Sequence, residues 1–168
     1  MFNIGDQVLY GSHGACTVIG VESMRFGKTR AKYYCLQPLQ QPDSRYYVPA
    51  DNEAAVAKLS PLMTKDALLE LLHSENVRIN NWISDESQRK LRYRELLSSG
   101  DRAALLNMIY CLHQHKDAQQ KAGKKFHQCD DGFLHDAQKL LNSEFSLVFG
   151  LEQGQVVPFI LEQMKVEG

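Results

Sequence analysis

Near Pro61 the spacing of apolar residues changes from every second position to every third or fourth. One element cannot serve both patterns: strand side chains alternate between two faces, whereas helical ones return after about 3.6 residues. Before the change, QVLY, ACTVIGVESM, KYYCLQPL and RYYVPA are short runs rich in Val, Tyr and Ile, separated by Gly, Pro, Asp and Ser. Gly11, Gly14 and Gly27 supply turns between them. Within ACTVIGVE both alternating sets are apolar or small, so this strand is expected to be covered on both faces. Four or five such strands with short connections predict a small, strongly bent antiparallel barrel over residues 1–62.

After the change the chain reads as helices through residues 63–168. Thr64 is the expected N-cap of a helix carrying leucines at 68, 69, 71 and 72. Ser84 is the expected cap of a second helix through Leu97, with Asp85 and Glu86 in its first turn. Asp101 caps a third, with the stripe Leu105, Met108, Ile109 and Leu112, stopping near Gly123. Asp130 is expected to cap a fourth, whose apolar face runs from Phe133 to Val148 and ends at Gly150. A last short helix has Pro158 near its start. The expected fold is α+β: a small β-domain, residues 1–62, followed by an all-α bundle, residues 63–168.

Charge is unevenly spread. Residues 78–128 hold ten Lys or Arg against five Asp or Glu, residues 129–168 carry a net −5, and residues 1–77 are nearly neutral. A basic middle suggests a surface that meets an anion; the plainer alternative is a solvated helix face balanced by the acidic C-terminal helix. No run approaches the ~18 apolar residues of a membrane span, and the N-terminus lacks the pattern of a signal peptide. Cys16, Cys35, Cys111 and Cys129 show no CxxC spacing, consistent with a reduced, cytoplasmic protein.

Enzymatic readings find little support. Phosphate-cradling glycine loops, the nucleophile elbow and HExxH are missing from the sequence. His13 lies beside Ser12 in a turn, which is adjacency rather than a triad. His113 and His115 are two residues apart, about 200° around a helix, and so do not readily share a metal. No catalytic residue, metal or cofactor is therefore expected. Trp82, the single tryptophan, sits instead in the polar stretch VRINNWISDESQRK. Arg89, Lys90, Arg92 and Arg94 follow it on one predicted helix, and Lys116, Lys121, Lys124 and Lys125 lie on or just past the next. Cations on neighbouring helices with an aromatic at one end would hold phosphates and present an apolar wedge. On these residues alone, a lid on the helical core explains Trp82 equally well.

The segments MFNIGDQVLYGSHGACTVIGVE, YYVPADN, NNWISDESQRKLRYRELLSSGD, AGKKFHQCDDGFLHDAQKLLNSEFSLVFG and VVPFI, in this order, resemble the CarD family of bacterial transcription regulators, most of all its members from clostridia and related bacteria. The first part also resembles the polymerase-interacting domain of the transcription-repair coupling factor. The resemblance implies a Tudor-like, SH3-like N-terminal domain that docks on the β subunit of RNA polymerase, and a helical domain that meets promoter DNA at the upstream edge of the melted region. It makes Trp82 the wedge that props the open complex, with Arg89, Arg92, Lys121, Lys124 and Lys125 as DNA-binding cations. Relatives carry an arginine immediately before VPA where this chain has Tyr47, so the polymerase-binding surface is expected around Arg25, Arg45 and Tyr47. The chain shows no sign of oligomerisation and is expected to act as a monomer. The alternative from another class is a protein–protein adaptor whose helical domain binds an acidic partner and never touches DNA.

Overall fold

The computed structural model describes residues 1–164, apart from the side chains of Ser12 and Gln153. Residues 165–168, the end of the expected helical part, lie outside the described residues. The chain divides into two compact units, Met1–Leu62 and Met63–Gly168.

In the first unit, β1 (Gln7–Tyr10), β2 (Ala15–Phe26), β3 (Thr29–Pro38), β4 (Tyr46–Pro49) and β5 (Leu59–Pro61) form one antiparallel sheet in the order β4-β3-β2-β1-β5. The fifth strand, which lies where the apolar spacing changes near Pro61, is only three residues long and pairs with β1. The end strands β4 and β5 are not paired with each other, so the sheet stays open where a closed barrel was expected. Gly27, at φ 65°, supplies the left-handed turn between β2 and β3.

Expected cover on both faces of β2 is not what forms. Val8, Cys16, Val18, Tyr34, Leu36, Val48 and Leu59 make a core on one side of the sheet, with Ala55 and Val56 of the short α1 (Glu53–Val56) packed against it. Ile19 and Val21 remain exposed. A bulge explains part of this: Val18 pairs with Leu36 and Gly20 with Cys35, leaving Ile19 as the extra residue.

The second unit holds α2 (Lys65–His73), α3 (Glu86–Ser99), α4 (Arg102–Lys121), α5 (Gln128–Phe149) and α6 (Gln153–Gln163), with a 3-10 turn at Glu75–Arg78 between α2 and α3. Leu105, Met108, Ile109 and Leu112 of α4 meet Phe133, Leu134, Ala137, Leu140, Leu141 and Phe145 of α5 in one buried core, joined by Leu68, Leu72, Val156 and Ile160. Each fully buried leucine contributes about 1.5–3 kcal/mol. Thr64 and Asp101 cap their helices as expected, accepting from the Ala67 and Ala104 backbone N–H groups. The other two caps differ. Asp85, not Ser84, caps α3 by accepting from the Gln88 N–H at 2.9 Å. α5 starts at Gln128, so Asp130 lies inside its first turn instead of capping it. Gly150, at φ 65°, ends α5. Deep in this unit Glu144 receives the Arg102 guanidinium at 3.0 and 2.7 Å and the Met63 backbone N–H at 3.2 Å, so its carboxylate is buried but not orphaned.

Candidate nucleic-acid interface

The extended stretch between the 3-10 turn and α3 carries Trp82, and α4 holds it down. Asn107 donates its amide to the carbonyls of Val77 (3.3 Å) and Ile79 (2.8 Å). The Cys111 thiol lies 3.4 Å from the Ile79 carbonyl and 3.1 Å from Asn81 Oδ1; its one proton serves one of them at a time. Arg78 donates back to the His73 carbonyl at 2.8 Å, and Asn80 Oδ1 accepts from the Trp82 backbone N–H at 3.3 Å. The polar residues around the tryptophan thus fasten an irregular segment whose backbone groups have no helix or sheet to satisfy them.

Trp82 itself is half-buried and packs against the edge of the helical core. Its indole stacks on the His115 ring, with centroids 3.9 Å apart and planes within 9°. The Arg89 guanidinium carbon lies 4.5 Å from the same ring. The aromatic row continues through His115 to Phe126, 6.2 Å on. Phe126 directly follows Lys124 and Lys125 in the loop between α4 and α5, so the row ties that loop to the tryptophan's neighbourhood. Neither the free plate nor the buried lid describes this residue: at least one face is covered and part of the ring is open.

The cations divide sharply. Arg89 is buried and makes a two-pronged pair with Asp130, Nε–Oδ1 at 2.8 Å and Nη2–Oδ2 at 3.0 Å, while its Nη1 donates to the Ile83 carbonyl at 3.0 Å. Expected among the phosphate contacts, this guanidinium is instead buried, with four of its five N–H donors turned to Asp130 and the Ile83 and Ser84 carbonyls. Arg92 is exposed and pairs loosely with Glu95 at 3.4 Å. Lys116 reaches Asp131 at 3.6 Å and the Phe126 ring at 5.7 Å. Lys121, Lys124 and Lys125 are exposed and, among the described residues, have no acidic group within 4.0 Å. These three side chains are open to an outside anion.

His113 and His115 diverge as their spacing requires. His113 meets Gln138 of α5 at 3.1 Å, and His115 faces Trp82. Burial lowers the pKa of both below 6.5, helped at His113 by Lys116 and opposed there by Asp117; at His115 Asp130 opposes the shift and Arg89 assists it. Among the described residues no cluster of His, Cys, Asp and Glu is arranged to hold a metal.

In the first unit the three residues expected to share a surface do not all do so. Tyr47 is opposite Cys35, on the sheet face turned from the core; the Cys35 thiol, by charge and hydrogen bond, raises the Tyr47 pKa. Strand alternation puts Glu22, Met24, Phe26 and Tyr33 on that same face, where Phe26 and Tyr33 are in edge contact at 5.3 Å. Arg25, five residues past Gly20 on β2, points to the opposite face and so does not share this one with Tyr47. Arg45 precedes β4, and its guanidinium folds onto the carbonyls of Pro42 and Ser44 at 2.6 and 2.7 Å. It stays close enough to Tyr47 to bear on its ionisation. Phe26, which sequence reading passed over, is the most exposed aromatic side chain of the unit at 57%. Beyond Val18, β2 also runs past the end of β1, and among the described residues no strand pairs with that edge of the β2–β3 hairpin.

Residues 2–61, just over a third of the chain, match the family model described as CarD-like/TRCF RID domain. No curated protein matches the chain.

Proposed function

We propose, from the match of residues 2–61 to the model described as CarD-like/TRCF RID domain, that the protein belongs to that polymerase-interacting family and is a transcription regulator that docks on the β subunit of RNA polymerase and stabilises the open promoter complex through Trp82. The first unit is the Tudor-like docking module in this reading. Its outer sheet face, with Tyr47, Phe26 and Tyr33, supplies side-chain contacts, and the free edge of the β2–β3 hairpin supplies main-chain hydrogen bonds. The second unit brings Trp82 to the upstream edge of the bubble, with Lys121, Lys124 and Lys125 on the phosphates.

The observation that carries this reading is the pinning of a partly open indole to the surface, beside lysines that have no acidic partner among the described residues. A core residue needs no such fastening of its flanks. A bubble edge is already partly unstacked, so an aromatic there binds the open state better than the closed one, and only such a difference shifts the equilibrium. Stacking on a base is worth about 1–3 kcal/mol.

Promoter open-complex lifetime, measured with polymerase and full-length protein, tests the reading. Trp82→Ala is expected to shorten the lifetime about tenfold, and Trp82→Phe to retain part of the effect. An unchanged lifetime with Trp82→Ala rejects it. Docking is tested separately: residues 1–62 alone are expected to pull down the polymerase β subunit without DNA. Capture by residues 63–168 and not by 1–62 would reverse the assignment.

A further inference from the structure

Asn107, Cys111, His115 and Gln119 recur at every fourth residue of α4 and so form one line along its surface. Three of them have a visible task in holding the tryptophan segment. Asn107 and Cys111 fix the backbone ahead of Trp82. Of this line, His115 stacks on the indole, lying parallel to it at 3.9 Å, and Gln119 Nε2 reaches the His115 Nε2 at 3.1 Å from the next turn. The imidazole is therefore held on one side by an amide and on the other by the ring it supports. Arg89 and Asp130 are the charged groups that face it, and their own two-pronged pair is buried.

Sliding between two stacked base pairs needs both faces of an aromatic ring free; a step that is already open can be filled by the part of a ring left exposed. His115 lies parallel to the indole at 3.9 Å and the Arg89 guanidinium carbon is 4.5 Å from the same ring, so Trp82 does not offer two free faces. We propose that His115 is a positioning residue for Trp82: it covers one face of the indole and sets its plane, so that the exposed part of the ring meets DNA at the open end of a fork. This deepens the reading of Trp82 as the DNA contact and rests on it. A covered face also has an energetic use. The ring is ordered before DNA arrives, so less side-chain freedom is lost on binding.

Two measurements on the full-length protein decide it. In the first, open-complex lifetimes with polymerase are compared for wild type, Trp82→Ala, His115→Phe and His115→Leu, with melting temperature and polymerase affinity recorded for each. Phenylalanine keeps a flat ring and is expected to hold the lifetime within about twofold, whereas leucine keeps apolar volume without a stacking face and is expected to lose about fivefold. A general loss of stability would not separate the two replacements in this way. In the second, fluorescence of the only tryptophan is followed as DNA is added. A forked duplex is expected to quench it, and a relaxed covalently closed circle at the same base-pair concentration to leave it nearly unchanged. Equal quenching by fork and circle, or a wild-type lifetime with His115→Leu alongside a shortened one with Trp82→Ala, overturns the role of His115 and leaves Trp82 standing. An unchanged lifetime with Trp82→Ala removes the DNA reading and this inference together.

Discussion

Arg89 and Lys124 are both cations in the basic segment, yet their circumstances differ in kind. Lys124 is exposed on a loop, and Arg89 is 5% exposed with both prongs on Asp130. Removing Asp130 leaves a buried guanidinium without its counter-charge, which typically costs about 3–5 kcal/mol. Urea denaturation of Asp130→Ala, followed by far-ultraviolet circular dichroism, is expected to show a loss of that order in the helical unit. A change under about 1 kcal/mol would mean that water reaches the site. Replacing Arg89 and Asp130 together by apolar residues is expected to cost far less, because the desolvation penalty disappears with both charges. Sequence reading flagged Trp82 because its polar neighbours were odd. It had no means of separating Arg89 from the free lysines, since the partner lies 41 positions away. Nor did it find His115, whose contact with Trp82 spans α4; the regular spacing of Asn107, Cys111 and His115 beside the leucine stripe was the signal available.

At the level of elements, the lysine-bearing turn between α4 and α5 works as a unit. Gly123, at φ 71°, lets the chain leave α4, and Phe126 anchors the far side of the turn near His115. Lys121, Lys124 and Lys125 project from it. If two to four of the protein's cations neutralise phosphates, the log of affinity for duplex DNA falls against log salt with a slope of about −2 to −4. Lys124→Ala with Lys125→Ala is expected to flatten that slope by about two, measured by fluorescence anisotropy across a salt series. An unaltered slope would send the phosphate contacts to the Arg92 side of α3. Elements with sustained periodicity were the legible part of the fold: the stripes of α4 and α5 are buried residue for residue as their spacing demands, except that Val148 is only half-buried. Three-residue β5 was too short to show a period, and whether the end strands of a sheet meet is settled by distant pairing that local pattern does not encode. The two misplaced caps erred by one and three residues, because several polar residues precede each helix and tertiary contact chooses among them.

Over the whole chain, acidity acts on the helical unit through two imidazoles. His113 and His115 have pKa values held below their ordinary 6.5, so the unfolded chain takes up their protons first as pH falls. Stability from these groups is complete above pH 6.5 and is lost as pH drops from there through the lowered values. Thermal melts are therefore expected to be flat in this respect above neutrality and to shift downward by about pH 5.5, with a shallower decline in His113→Gln. A melting temperature that rises on acidification would reverse the sign. The buried Arg89–Asp130 and Arg102–Glu144 pairs bear on a different variable, temperature. The free energy gained by hydrating a charge weakens on warming, so the penalty of keeping these four groups dry shrinks as the cell heats. Apolar burial moves the same way at the cold end, weakening as water cools. A bundle that fastens its longest helix with both kinds of contact therefore loses ground twice over in the cold, and its ionic fastenings count for most near the upper end of the range in which the protein works.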